Sequence, residues 1–233
     1  MIPARGGSQR VPGKNIRALH GIPALVRVIN ACRESGVAER IVVSTDSSEV
    51  ADVARSAGAE VPFTRPVELA DEHTPILPVM QHAVRQLGID PGADVACVYA
   101  TAVTVDPQDL LSGFRKLRTV ADGSFVVSIT TFDYPIQRAI QMDADGRIAL
   151  VDPGQANTRS QDLPERWHDA GQFIWGTAAT WLRANTVWDT AIGSPVPHWR
   201  TVDIDTEDDW QRAELIIRAH EAILQGDPGG SLA

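Results

Sequence analysis

An α/β fold with a mostly parallel sheet follows from three features of this 233-residue chain. Short apolar runs alternate with helix-period segments from residue 21 to about 130. Those runs lack strict polar alternation, as expected of parallel strands covered on both faces. A glycine-rich cationic loop opens the chain, and ligands of such sheets sit at the strands' C-terminal ends.

The elements follow in order. Residues 3–15 read Pro-Ala-Arg-Gly-Gly-Ser-Gln-Arg-Val-Pro-Gly-Lys-Asn, and their three glycines and two prolines forbid a regular helix. Only four residues precede Arg5, a stub of a first strand at ~3.3 Å per residue. Gly21-Ile-Pro introduces a helical period through Leu25, Val26, Ile29 and Cys32, closed by Gly36. Arg40–Ser44 is a short apolar strand, and Ser47 caps a helix through Ala57, stopped by Gly58. Glu60–Phe63 is extended, residues 75–87 are helical and Asp94–Tyr99 is a buried strand. Asp106-Pro107 sets a cap and a first-turn proline for a helix to about Arg118, and Ser124–Thr131 returns to strand. Residues 132–176 carry short β-like pieces, and all six tryptophans lie at or beyond Trp167, which suits a cap or interface as well as core packing. Thr206 caps a final helix to about Leu224, and a frayed tail follows from Gln225.

Composition narrows the function classes. The net charge of −9 argues against nonspecific nucleic-acid binding, and no apolar run approaches the ~18 residues of a membrane span. The N-terminus shows no apolar signal core, so a cytoplasmic location is expected. Cys32 and Cys97 sit in apolar segments and are expected to be reduced core thiols. The histidines offer no paired metal spacing. His168 beside Asp169 reads as an oriented base, a cap or a surface residue, and Asp46 as a helix cap.

Against this acidic background, Arg5, Arg10, Lys14 and Arg17 gather charge ahead of Glu34, the first acidic residue. Freed Gly6 and Gly7 amides, Ser8 and these cations suit phosphate oxygens, although a solvated basic loop explains the charge alone. The glycine spacing fails both the dinucleotide fingerprint and the Walker loop, and Asn15 stands where the latter needs Ser or Thr. Near the other end, Val202-Asp203-Ile204-Asp205 places two carboxylates on one side of an extended segment. They repel unless a cation lies between them, and Mg2+ favours such a pair with substrate phosphates. Helix capping accounts for Thr206 and Asp209 but not for this pair.

Ile2–Ser8 followed by Lys14-Asn15 resembles closely the CTP-binding opening of the cytidylyltransferases that activate nonulosonic (sialic-acid-like) sugars. That family carries a magnesium-binding Asp-x-Asp directly before its last helix, matching Asp203 and Asp205. Asn157–Leu163, His168–Phe173 and Tyr134–Arg138 resemble the family's pseudaminic-acid branch. The resemblance runs from Ile2 to about Glu214, with a departure at Val103, where relatives often have proline.

The resemblance implies a Rossmann-like three-layer αβα nucleotidyltransferase domain over residues 1–225, with a small β-rich cap or dimerisation insertion at about 132–176 and a flexible tail over 226–233. It also implies a cytoplasmic homodimer that transfers CMP from CTP to a nonulosonic acid with Mg2+, pseudaminic acid first and N-acetylneuraminic acid, legionaminic acid or Kdo as alternatives. Arg5, Gly6, Gly7, Ser8, Arg10, Lys14 and Asn15 would bind the nucleotide, with Arg5, Lys14, Asp203 and Asp205 catalytic. Arg138, Arg159, Gln161, Asp162 and Gln172 would bind the sugar, an arginine fork holding its carboxylate. The Kdo cytidylyltransferases share the Pro-Ala-Arg opening, but they follow the lysine with proline and carry an aspartate where this chain reads Tyr99-Ala-Thr-Ala. A CTP-binding subunit without turnover is the rival of another class.

Overall fold

The computed structural model describes residues 1–8 and 10–224, so the expected tail lies outside the described residues. β1 (Ile2–Pro3) is followed by a small hairpin, β2 (Ala18–Leu19) with β3 (Ile22–Pro23), which leads into α1 (Ala24–Glu34). Next come β4 (Val43–Ser44), α2 (Ser48–Ser56), α3 (Ile76–Leu87), β5 (Asp94–Val98), α4 (Pro107–Leu117) and β6 (Phe125–Thr131). The remainder is β7 (Ile140–Met142), β8 (Ile148–Leu150), β9 (Trp167–Thr177), α5 (Ala178–Arg183), β10 (Ala191–Pro195) and α6 (Glu207–Leu224).

β1 pairs parallel with β4, and the Val98 N–H donates to Met1 O (2.9 Å), which sets β5 on the other side of β1. The order then runs β5, β9, β6, β10. β10 is parallel to β6, whereas β9 is antiparallel to both neighbours. This strand corrects one expectation: residues 167–176 pair with β5 and β6 in the central sheet, so the expected insertion reduces to 132–166. Its apolar run carries no direction, because both faces are covered whichever way it lies. The antiparallel course matters for function, since it brings the first residues of β9 to the rim where the parallel strands end.

Helices cover both faces. Leu25, Ile29, Val50, Leu110, Val126 and Phe173 belong to one buried cluster with α1, α2 and α4. Met80, Cys97, Phe125, Val127, Ile174 and Trp181 form a second with α3 and α5. The one-residue steps from Phe125 to Val126 and from Phe173 to Ile174 are the period-two alternation of a doubly covered strand. Three of the six tryptophans (Trp175, Trp181, Trp210) are buried, while Trp167, Trp188 and Trp199 are exposed. Cys32 and Cys97 are free and buried, and burial pushes their thiols up to about 11 and about 12.

A third cluster positions the site. Val11 of the opening loop, Leu19, Val202, Ile204 and, on α6, Trp210 and Ala213 are buried together. Removing this apolar surface from water presses the last helix against the first loop, two segments about 190 residues apart.

Candidate active site

The opening loop is tied down from several directions. The Gly6 N–H donates to Asp46 Oδ1 (3.0 Å), and a Cβ on Gly6 would lie 2.7 Å from Ser47 Cβ, so this approach requires glycine. The Gly6 amide is therefore engaged by Asp46, contrary to the expectation that it stands free for phosphate, whereas Gly7 is exposed. Asp46 does not cap α2; that is Ser47, which accepts from the Val50 N–H. Asn15 is buried, with Nδ2 donating to Arg5 O (2.8 Å) and its own carbonyl accepting from the Leu25 N–H (2.8 Å). Ser8 is half-buried and Arg10 exposed on the loop's outer side.

The carboxylate pair meets this loop. Val202 and Ile204 are buried while Asp203 and Asp205 face outward, as the alternation predicts. Lys14 Nζ donates to Ile204 O (2.7 Å) and lies 3.4 Å from Asp205 Oδ1, and Arg10 Nη1 lies 3.1 Å from Asp205 Oδ2. Thr206 and Asp209 form the expected capping box: Asp209 Oδ2 accepts from the Thr206 N–H (2.8 Å), and Thr206 Oγ1 from the Asp209 N–H (3.2 Å).

Among the described residues Asp203 forms no ion pair. Loss of water around its carboxyl, then the charges of Asp205, Asp209 and Asp169, push its pKa above the ordinary carboxylate range, and Lys14 only partly opposes this. Crowded carboxylates of this kind fit a divalent cation. Among the described residues no group of three ligating side chains exists, and Mg2+ held by two carboxylates and substrate phosphates needs none.

Two clefts open around these groups. One, of about 340 Å³, is lined by Arg5, Lys14, Asn15, Arg65, Tyr99 and Thr101. The other, of about 980 Å³, is lined by Tyr134, Arg138, Ser160, His168, Asp169 and Asp203. Lys14 lines the first and Asp203 the second, and Asp205, two residues from Asp203, lies 3.4 Å from Lys14 Nζ.

The sugar-binding candidates separate. Arg138 lines the larger cleft and bonds Ser160 Oγ (3.3 Å). Arg159 is exposed and held by its neighbour Asp162 (2.7 and 3.2 Å), and Gln161 is exposed beside them. Gln172 is 1% exposed inside β9, not on the cleft wall. Strand periodicity turns it into the sheet, where its neighbour Ser128 takes the Gln172 and Phe173 N–H groups at a bulge (3.2 and 3.0 Å).

A cytidylyltransferase family model matches residues 1–142. The chain is 34% identical to the pseudaminic acid cytidylyltransferase of Campylobacter jejuni, over 96% of this chain and 98% of that protein. The chain belongs to the cytidylyltransferase family. It is also 48% identical to the CMP-N,N'-diacetyllegionaminic acid synthase of Legionella pneumophila, over 96% and 97% of the two chains. A solved CMP:2-keto-3-deoxy-manno-octonic acid synthetase complexed with CTP superposes with a TM-score of 0.69 at 14% identity, covering 94% of this chain and 97% of that one. This likeness shows the nucleotidyltransferase fold.

Two further groups line the clefts: Arg65 had no signal in the sequence, and Asp169 was read there only as a neighbour of His168. Arg65 is 5% exposed at the smaller cleft, its Nε donating to Ser44 Oγ (3.2 Å) and its Nη2 to Ser44 O. Burial pulls its pKa below the usual guanidinium value, opposed by Asp46. A lone arginine before a proline carries no pattern that could have found it. Asp169 is the other: burial pushes its carboxyl up, against the Gly171 N–H that it accepts (2.8 Å). The positive φ of Gly171 (62°) makes that turn. His168 Nδ1 bonds the backbone oxygen of Asp169 (2.8 Å) and the ring packs at a tilt on Phe132, so the ring is held by the Asp169 backbone and not by its carboxylate.

Proposed function

We propose that this cytidylyltransferase transfers CMP from CTP to the anomeric hydroxyl of a nonulosonic acid, pseudaminic acid in the first place, and releases pyrophosphate. The observation that carries the reading is the contact of Lys14, which lines the smaller cleft with Arg5 and Arg65, with Asp205, beside the Asp203 that lines the larger, partly apolar cleft. CTP occupies the first, with Arg5, Ser8, Lys14 and the Gly7 amide on its phosphates, Arg10 at the rim and Arg65 as a further cation. The sugar occupies the second, its carboxylate on Arg138. The hydroxyl oxygen bonds the α-phosphorus as the bond to the β-phosphate oxygen breaks, and pyrophosphate leaves. Mg2+ on Asp203 and Asp205 would supply charge neutralisation at the phosphate oxygens. Lys14, anchored on Ile204 O, brings its ammonium to the same place.

A second reading concerns the sugar alone. The 48% identity to a diacetyllegionaminic acid synthase supports that stereoisomer as acceptor. Purified protein incubated with CTP, Mg2+ and a panel of nonulosonic acids, read by pyrophosphate release, decides between them. We expect pseudaminic acid to give the highest kcat/KM. Preference for diacetyllegionaminic acid would favour the second reading, and no turnover with any sugar would leave a CTP-binding subunit.

The segment 132–166 supports a homodimer. Its β7–β8 hairpin exposes Ile140, Met142 and Ile148 (58%, 72% and 65%), a small apolar patch that solvent does not favour. Sedimentation should give a dimer that Met142→Asp weakens. No helix among the described residues is long and apolar enough to cross a membrane, and the need for CTP supports action in the cytoplasm.

A further inference from the structure

One imidazole in the larger cleft is held in a single orientation. His168 is the second residue of β9, paired across the sheet with Thr130 of β6, and it lines the larger cleft together with Asp203. It stands on the central sheet and not on the exposed wall that carries Arg138 and Arg159. Phe132 packs against its ring with centroids 4.6 Å apart, and Nδ1 lies 2.8 Å from the backbone oxygen of Asp169. A carbonyl oxygen can only accept, so Nδ1 carries the proton of that bond, and the neutral ring keeps its lone pair on Nε2. Among the described residues Nε2 has no hydrogen-bond partner, and it is not enclosed by protein. The half-buried ring therefore turns a free lone pair toward the cleft.

The surroundings suit a group that gains a proton. The Asp169 carbonyl accepts from Nδ1 whether the ring is neutral or charged, so protonation does not disturb the ring's anchor. The carboxyls of Asp169, Asp203 and Asp209 line the same cleft and favour an imidazolium, while the guanidiniums of Arg138 and Arg212 oppose it. His198, also on this cleft, is paired with Asp133 (3.2 Å) and so is engaged elsewhere.

We propose that His168 is the general base of the reaction, its Nε2 taking the proton of the sugar's anomeric hydroxyl. This rests on the transfer of CMP proposed above. As the hydroxyl oxygen bonds the α-phosphorus, the bond to the β-phosphate oxygen breaks and its electron pair leaves with pyrophosphate. The hydroxyl proton passes to Nε2 and is given up to water after the products depart. A base must stand on the acceptor's side of the phosphorus, and His168 lines the cleft assigned to the sugar.

The test separates the base from the anchor. In His168→Asn the amide can still donate to Asp169 O, as Nδ1 does, but nothing replaces Nε2. The variant should keep its Tm and CTP affinity and release pyrophosphate at least about 100-fold more slowly at saturating CTP and sugar. In the intact protein log kcat should fall toward acid as the base is protonated, and the variant should lose that limb. Asp169 and Asp203 titrate as well, so the difference between the two profiles carries the assignment. Free imidazole should raise the rate of His168→Ala at least about tenfold, and this rescue decides the matter alone if asparagine disturbs the fold. Nitrogen NMR of the intact protein without substrate should place the ring proton on Nδ1. A proton on Nε2, or no rescue by imidazole, would overturn the proposal. So would a His168→Asn enzyme within about threefold of the intact rate, or a loss confined to the sugar KM with the acid limb retained. Turnover by His168→Asn at the intact rate sinks the base alone, whereas no turnover by the intact protein with any sugar sinks the proposed reaction and the base with it.

Discussion

The two clefts, one lined by Lys14 and the other by Asp203, are built by different means. On the nucleotide side, buried Asn15 and Arg65 and half-buried Lys14 are each fixed by a backbone carbonyl: Arg5 O, Ser44 O and Ile204 O. On the sugar side, Arg138 and Arg159 are exposed and bond only nearby side chains, Ser160 and Asp162. A wall fixed by backbone holds one geometry, which suits a triphosphate whose shape does not vary. A wall of surface side chains can change residue by residue without disturbing the core, which suits selection among sugar stereoisomers. This difference predicts that substitutions on the first side cost CTP binding or chemistry, and those on the second cost sugar selection alone.

The largest effect should come at the carboxylate pair. Asp205→Asn should lower pyrophosphate release at least about 100-fold while moving Tm by no more than ~2 °C. A large drop in Tm with proportionate loss of activity would make the pair structural. Next comes the rigid wall: Lys14→Ala should weaken CTP binding by roughly 1–3 kcal/mol in calorimetry, and the intact protein should bind CTP tighter than ATP or GTP. Equal affinity for all three nucleotides would remove the basis of the comparison.

On the exposed wall, Arg138→Ala should raise the sugar KM about tenfold and leave CTP affinity unchanged, and Arg159→Lys should change sugar kcat/KM by less than about threefold, because Asp162 already holds that guanidinium. A stronger effect at Arg159 than at Arg138 would show that its fork turns to the substrate. Asp169 gives a smaller, pH-dependent effect. Its folded pKa lies above its unfolded one, so the carboxylate costs stability as pH rises through the folded value, and nothing at low pH, where both states are protonated. Asp169→Asn keeps an acceptor for the Gly171 N–H and should raise Tm by ~2–4 °C at pH 8, the gain vanishing toward pH ~4. A constant gain across that range would mean that charge is not its source. Least of all, Cys32 and Cys97 should resist a thiol reagent at pH 8 in the folded protein, since burial holds both as thiols.

Much of this architecture was legible from local pattern. The caps at Ser47, Asp106 and Thr206 stand where the sequence places them, because a cap is settled by a residue and the three that follow it. The orientation of Asp203 and Asp205 was legible too, since buried Val202 and Ile204 leave them only one side. Gln172 shows the limit. Polar residues close in sequence look like one binding loop, yet β9 begins at Trp167 and its pleat carries Gln172 into the sheet. Arg65 shows the same limit in reverse, since its place beside Tyr99 and Lys14 depends on the packing of distant strands.

By itself, then, the sequence determined the α/β class, the helix ends, the cationic opening loop and the outward carboxylate pair, all of which depend on residues within a few positions of one another. Only the tertiary structure decided that β9 runs antiparallel, that Gly6 is held by Asp46, and that Arg138 lines the larger cleft while Asp162 holds Arg159. Strand direction and long-range contact are set by which apolar faces bury one another across the whole chain, as Val11 and Ile204 do when they bring Lys14 to Asp205. No local pattern carries that information, because the burial that drives it is non-directional and is satisfied only when the entire core closes.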